Sequence, residues 1–406
     1  MMINKSPLIY FVTDLAIFSG EKAFADSLHV GRPNIGNKQH YLQLINDMLD
    51  RRWLSNRGPY IEQFERKIAD YLGVKHCIAM CNGTVALEIA IRALDLKGEV
   101  IVPSFTFVAT AHALKWQEIS AVFCDIDPVT HHIDPAKIEK MITPRTTGII
   151  GVHTWGRACD VEAIEEIAKT KRLKVLYDAA HAFACTHKRR PVGQFGNAEV
   201  FSFHATKFFN TLEGGAVVTN DDELAKKIRL MKNFGFAGYD DVVLIGTNGK
   251  MNEASAAMGL VNLESMEEFV TINRRNYECY KSCLEGIRGI RLHCYDDLEK
   301  YNYQYIVVEV DQEQAGLSRD ELQKVLWAEN VLVRRYFYPG CHRMEPYRSY
   351  YPNADLLLRK TEEVVKKVLV LPTGTSITPT VIDTICSIIR VSINNASEVR
   401  DRLLSK

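Results

Sequence analysis

Lys207 lies in FSFHATKFFNTLEGG (201–215), among aromatic and small residues, with no acidic neighbour downstream until Glu213. A lysine held among apolar groups loses solvation of its charged form. Its pKa falls, and the neutral amine becomes a nucleophile able to form a Schiff base with a carbonyl. Asp178 ends the apolar run KVLYD (174–178). A carboxylate in that place either caps a following helix or holds a cation in a buried site. NGT (82–84) opens a helical stretch, and a helix N-terminus offers free N–H groups and a favourable dipole to an anion. Phe105 and Phe107 follow another apolar run and could supply an aromatic face, although core packing is the usual fate of a phenylalanine.

Together these groups answer the needs of one kind of ligand. A cofactor bearing an aldehyde, a phosphate and a pyridine nitrogen requires an amine, an anion cradle, a carboxylate that keeps the ring nitrogen protonated, and a flat group against the ring. Lys207, NGT, Asp178 and one of the two phenylalanines fill those needs in turn.

The elements around them place the groups at matching positions. HCIAM (76–80), EVIVP (99–103), AVFCDI (121–126), TGIIGV (147–152) and KVLYDA (174–179) read as buried strands. Helical stretches at about 84–95, 106–116 and 160–171 alternate with them. Apolar strands followed by helices predict a parallel sheet covered on both faces, with ligands at the carboxyl ends of the strands. NGT, PSFTF and DAAHA fall at such ends. FSF and AVVTND, flanking Lys207, read as two further strands. Helices are expected at 38–54, 60–72, 221–235, 318–328, 354–366 and 378–390, and one or two across 252–287. YQYIVVEV (303–310), VLVRRYF (331–337) and VLVLP (368–372) read as strands of a smaller α+β unit. Residues 1 to about 36 look irregular.

Composition excludes several classes. The 406 residues include 50 basic and 50 acidic side chains, with 47% hydrophobic and 25% charged residues. This is an ordinary globular composition, sufficient for about two domains. A zero net charge gives no bulk attraction to nucleic acid or an acidic membrane, so any anion must be bound locally. The ten cysteines are scattered without a C-x-x-C, which reads as reduced thiols in a cytoplasmic protein, with no metal site expected. No apolar run is long enough for a membrane span, and no convincing cleavage site follows the patchily apolar start. G-x-G-x-x-G is absent, which argues against a nicotinamide-dependent oxidoreductase, and GTNGKM lacks the upstream Gly and the Ser/Thr of a phosphate loop.

The motifs WLSNRGP-x-x-x-x-FE, NGTVAL, PSFTFVAT, VHTWG, DAAHA, SFHATK, EGGAVVTND and GTNGKMNE resemble the sugar-nucleotide aminotransferases. These are fold-type-I pyridoxal-phosphate enzymes related to aspartate aminotransferase, and the resemblance runs from VGRPNIG (30–36) to VLVLPTG (368–374). It implies a three-layer α/β/α large domain with a mostly parallel sheet and a smaller C-terminal α+β domain. The expected division is an N-terminal arm at 1–36, a large domain at 37–288 and a small domain at 289–406. It implies that Lys207 carries the cofactor as a Schiff base and moves the 1,3-proton, and that Asp178 faces the pyridine nitrogen. Gly83, Thr84 and Ser202 match the phosphate binders, and Phe107, before Phe105, matches the ring-stacking aromatic. His181 stands where the family often has Gln beside the cofactor's hydroxyl. Asn248 matches a residue supplied by the second subunit, which implies a homodimer with shared sites. Lys250 stands where many relatives have Arg. Some relatives replace the lysine with His and dehydrate their substrate; the presence of Lys207 argues for transamination and against a non-catalytic protein.

By the same resemblance, L-glutamate donates the amino group and the cofactor alternates between pyridoxal and pyridoxamine phosphate. ATKFFNTLEGG and RRYFYPGCH (334–342) resemble the branch that aminates C4 more than PTKNLGALGDGG of the C3 branch. The expected acceptor is dTDP-4-dehydro-6-deoxy-D-glucose, giving dTDP-4-amino-4,6-dideoxyglucose. Loop positions suggest Arg32, Trp155, Asn210 and Tyr336 or His342 for the sugar.

Overall fold

The computed structural model of the chain describes residues 9–405. The part of the expected N-terminal arm at 1–8 lies outside the described residues. The core is one seven-stranded sheet. Its strands are β1 (His76–Met80), β2 (Glu99–Pro103), β3 (Ser120–Cys124), β4 (Thr146–Val152), β5 (Lys174–Asp178), β6 (Ala198–Ser202) and β7 (Gly215–Thr219), in the order β1-β7-β6-β5-β4-β2-β3. β2 to β6 run parallel. β7 is antiparallel to both β1 and β6. The segment between β6 and β7, residues 203–214, contains Lys207 and forms no helix, and the chain turns back on itself to pair antiparallel with β6. Every residue of β2 and β7 is buried, as expected of strands covered on both faces.

Local chemistry sets the helices that matter for the site. Pro59–Leu72 starts with Pro at its first turn and buries Tyr60, Ile61, Phe64, Ile68 and Leu72 at helical spacing. It ends at Gly73, whose φ of 65° is the left-handed stop favoured by glycine. Gly83–Ala93 is capped by Asn82, whose side chain accepts from the Val85 N–H at 2.8 Å. The Glu65 carboxylate accepts from the Ala79 N–H at 2.9 Å and pairs with Lys232 and Arg229. This buried trio fixes Pro59–Leu72 to β1 just before the Asn82 turn.

A smaller antiparallel sheet lies near the C-terminus, formed by β8 (Ile290–Leu292), β9 (Ile306–Val310) and β10 (Val368–Leu371). It differs from the sequence expectation in one strand. Of VLVRRYF only Val331–Leu332 is extended in a ladder, and it pairs in parallel with Leu28–His29. Past it, Arg334 makes a single bridge to Val370, and Tyr336 and Phe337 line a cavity instead of continuing a strand. The expected helix at 221–235 stops at Met231, where the Leu230 carbonyl accepts from the Gly235 N–H at 2.8 Å and the Met231 carbonyl from the Thr247 N–H at 2.9 Å. The stretch 252–287 breaks at Ser265 into Glu253–Glu264 and Met266–Leu284. The helix expected at 354–366 is two short pieces, Ala354–Leu356 and Arg359–Val364.

The segment read as irregular before residue 36 holds the short helix Ala16–Ser19. It is tied down by the buried Glu329 carboxylate, which accepts from the Ala16 N–H at 2.6 Å and the Ala23 N–H at 2.8 Å. All ten cysteines are unpaired. No helix among the described residues is long and apolar enough to cross a membrane.

Candidate active site

A cavity of about 700 Å³ opens at the carboxyl edge of the large sheet. Gly83 and Thr84 after β1, Phe107 after β2, Asp178 at the end of β5, and Ser202 and Lys207 at and after β6 all line it. His181 and Tyr336 line it too. Eight residues singled out from the sequence therefore converge, although they come from segments spread over much of the chain.

Lys207 donates from Nζ to the Tyr305 hydroxyl at 3.1 Å. Its side chain is partly open to the cavity, yet burial draws its ammonium down to about 8, against an opposing pull from Asp178. A larger fraction of neutral amine is thus available than in an exposed lysine. Asp178 is buried. Its Oδ2 accepts from the Thr110 hydroxyl at 2.8 Å and its Oδ1 from the Ala180 N–H at 3.1 Å. Thr110 in turn meets the Thr106 hydroxyl at 2.9 Å. Burial pushes the Asp178 carboxyl up, while these donors and Lys207 pull it down. No cation forms a salt bridge with it among the described residues. A buried carboxylate with fixed donors and no ion-pair partner suits a cationic ring nitrogen.

The anion cradle is equally specific. Asn82 caps the third N–H of its helix, which leaves the Gly83 and Thr84 N–H groups without an intrachain partner among the described residues. The side chain of Ser202 closes the other side: a Cβ on Gly83 would stand 3.0 Å from the Ser202 Cβ. This donor set fits a phosphate at a helix N-terminus.

Of the two phenylalanines, Phe107 lines the cavity and is 60% exposed, whereas Phe105 is fully buried against Trp155 and Phe337. His181 is buried and packs against Tyr305 with ring centres 4.2 Å apart and the planes tilted by 39°. Burial, with help from Lys207, holds its imidazole well below the usual range, so the ring is neutral. The Trp155 N–H approaches its Nδ1 at 3.4 Å, so that nitrogen is the acceptor and Nε2 carries the proton.

Four of the substrate candidates lie elsewhere. Trp155 is fully buried and does not line the cavity. It packs behind His181 and against Phe337, with its backbone in the left-handed region at φ 63° and its indole N–H donating to His131. Asn210 is a packing amide, donating to the Asn34 carbonyl and accepting from the Leu212 N–H. His342 is buried between Ser104 and Glu362, both at 2.7 Å. Arg32 is exposed beside Gly31, outside the lining. Asn248 is exposed, and Lys250 donates to Asn233 at 2.9 Å; neither reaches the cavity of its own chain.

The structure adds Tyr305, Gln304, Thr106, His204, Glu213 and Arg334 to the lining. Tyr305 stands just before β9, within the run YQYIVVEV. Its only signal in the sequence is a tyrosine opening an apolar strand, which core packing explains equally well. Arg334 has no carboxylate partner among the described residues, and its guanidinium lies 5.6 Å from the Tyr336 ring centre.

A mostly parallel sheet with a lysine, a buried aspartate outside any salt bridge and a capped anion cradle at its carboxyl edge defines an aminotransferase of fold type I. The chain belongs to the DegT/DnrJ/EryC1/StrS aminotransferase family, which it matches over residues 36–390. It superposes on the crystal structure of DesI, described in the presence of its TDP-sugar product, with a TM-score of 0.93 and 44% identity, covering 97% of this chain and 100% of that one. It is 39% identical over 363 residues to a dTDP-4-amino-4,6-dideoxy-D-glucose transaminase of Shigella dysenteriae, covering 89% of this chain and 98% of that protein. It is 36% identical over 329 residues to a GDP-perosamine synthase of Caulobacter vibrioides, covering 79% and 86% respectively.

Proposed function

We propose that this aminotransferase moves an amino group from L-glutamate to the C4 ketone of dTDP-4-dehydro-6-deoxy-D-glucose, giving dTDP-4-amino-4,6-dideoxyglucose. The convergence of Lys207, Asp178 and the Asn82-capped cradle in one cavity carries the reading of the chemistry. Likeness over nearly the full chain to a transaminase named for that aminosugar supports the choice of substrate.

Pyridoxal phosphate, when bound, supplies an electron sink for the negative charge that develops at the amino-bearing carbon. Gly83, Thr84 and Ser202 would hold its phosphate, Phe107 would cover its ring, and Asp178 would keep its ring nitrogen protonated. Lys207 would carry it and, once the donor's amine takes its place and frees it as a neutral amine, take a proton from the donor's α-carbon and return it at the neighbouring position. The Tyr305 hydroxyl at 3.1 Å orients that amine. His181 offers Nε2–H as a neutral donor. Donor and acceptor occupy the same cavity by turns, as ping-pong exchange requires. Arg334 would meet the diphosphate of the sugar nucleotide at the cavity mouth, a local charge in a chain with no net one. Asn248 of a second copy would complete the phosphate site in a homodimer with shared sites, consistent with its exposure in the single chain.

The test is product analysis. The purified protein, supplied with pyridoxal phosphate and L-glutamate, is offered dTDP-4-keto, dTDP-3-keto and GDP-4-keto 6-deoxy sugars separately. Nitrogen at C4 of the dTDP-4-keto sugar, lost in Lys207→Ala, is the expected result. Nitrogen at C3, or preference for the GDP sugar, would overturn the assignment.

A further inference from the structure

Away from the cavity, two groups of metal-ligating side chains occur among the described residues. One is His131, His293 and Glu309. Its ligand atoms are already engaged: His131 accepts from Trp155 and pairs with Glu309 at 3.1 Å, and Arg157 bonds His293. Arg291 also pairs with Glu309. Two guanidinium groups repel a further cation, so this group reads as a satisfied buried network.

The other group is different. Cys279 and Cys283 stand four residues apart on the helix Met266–Leu284 and share a face. Asp383 comes from the helix Pro379–Asn394, which packs against it. The two sulfurs and a carboxylate oxygen lie within 4.8 Å of one another, and the Cys283 Sγ is 3.2 Å from the Asp383 Oδ1. Ligands of a tetrahedral ion held at about 2.0–2.3 Å are separated by roughly 3.5–4 Å, so the trio needs only small side-chain movements to close on one. Both cysteines are half-buried and Asp383 is exposed, which leaves an entry path and an open position for water. Two guanidinium groups lie close by with hydrogen bonds of their own: Arg390 bonds the Cys283 carbonyl, and Arg275, whose charge also reaches Cys279, bonds Asn276 and the Ile377 carbonyl. None of the three residues lines the cavity.

We propose that Cys279, Cys283 and Asp383 form a binding site for a thiophilic divalent cation, of which zinc is the fitting example, joining two helices remote from the catalytic cavity. Two thiolates with one carboxylate select zinc or cadmium over magnesium or calcium. Binding exchanges two thiol protons for the ion, and no oxidant is involved. Because both thiols must lose their protons to bind the ion, uptake weakens as pH falls. Because the ligands come from both helices, the ion adds a link between segments about a hundred residues apart in sequence.

Zinc sulfate is added to the reduced, cofactor-loaded protein, excess is removed by gel filtration, and retained metal is counted by mass spectrometry. About one zinc per chain is expected in the wild type, with thermal unfolding shifted upward. Cys283→Ser and Cys279→Ser should lose it. Asp383→Asn, which leaves both thiols in place, should bind on the order of 100-fold more weakly. Cadmium should give thiolate-to-metal ultraviolet absorption that survives in Cys294→Ser, the control for an exposed thiol outside the trio. Equal zinc retention in wild type and Cys283→Ser, no retention after full reduction, or a cadmium signal that follows Cys294 overturns the proposal.

Discussion

At the scale of the residue, the site is governed by burial acting on one amine and one carboxyl. The folded-state pKa of Lys207, about 8, lies below the 10.5 of a free lysine, with burial as the main cause and Asp178 opposing it. Below about pH 8 folded and unfolded chains both hold the proton, and the folded state bears the full penalty of a poorly solvated charge. Between 8 and 10.5 the unfolded chain binds more protons, so stability rises with pH, and above 10.5 the penalty is gone. Lys207→Met in the cofactor-free protein should therefore unfold a few degrees higher than wild type at pH 7, and the gain should fade between pH 8 and 10.5. Thermal melts across that range measure it, and a gain that grows with pH would contradict the assigned shift. The same variant should lose transamination entirely. Tyr305→Phe keeps the ring that packs against His181 and removes only the hydroxyl partner of Lys207. Loss of one positioning hydrogen bond predicts a drop in kcat of about tenfold with the KM for sugar nearly unchanged. Steady-state kinetics with both substrates varied would show it; a KM effect alone would place Tyr305 in substrate binding instead.

At the scale of the element, the cradle is only as good as the strands beneath it. Gly215 opens β7 beside β1, and a Cβ there would stand 2.7 Å from the Asn82 carbonyl carbon and the Gly83 nitrogen. Both are backbone atoms and cannot rotate away. Gly215→Ala should push the cradle loop outward, lowering stability by about 1–3 kcal/mol and weakening cofactor binding at least as visibly. Titration of the cofactor-free protein with pyridoxal phosphate, alongside thermal melts, checks both, and unchanged affinity would show that the loop absorbs the methyl elsewhere. Much at this scale was legible. NGT, DAAHA and SFHATK sit at strand ends because buried apolar runs announce themselves and ligand sites in such sheets gather there. The antiparallel course of β7 was less so: AVVTND reads as a strand in either direction, and only its insertion between β1 and β6 decides it. VLVRRYF carries every local mark of a strand. It stops at Leu332 because its partner there is Leu28–His29, a segment that gives no strand signal of its own.

At the scale of the whole molecule, the proposed homodimer makes a distinctive prediction. Lys207 and Asn248 would come to each site from different copies. Mixing Lys207→Ala with Asn248→Ala chains should restore activity, since half of randomly paired dimers are mixed and each has one intact site, about a quarter of all sites. Activity assays after mild dissociation and reassociation measure this. No recovery, with mixed dimers demonstrated by mass, would show that Asn248 acts within its own chain or not at all. Zero net charge fits the same picture, because the groups proposed to hold the anions, Gly83, Thr84, Ser202 and Arg334, all line the cavity.

By itself the sequence determined the large sheet, the order of its strands along the chain, and the groups at their carboxyl ends, because hydrophobic periodicity and strand-end motifs are local properties. It singled out Lys207, Asp178, Gly83, Thr84, Phe107, His181 and Ser202, all of which meet in one cavity. It could not tell which polar residues of the later loops point inward. Trp155, Asn210 and His342 have the chemistry of substrate ligands, but each gives at least one side-chain hydrogen bond to a packing partner that the fold brings from another segment. Tyr305, Arg334 and the Cys279–Cys283–Asp383 group show the converse. Each is ordinary in its own segment, and its position depends on which distant strand or helix the fold sets beside it, a choice made by long-range packing and not by neighbours along the chain.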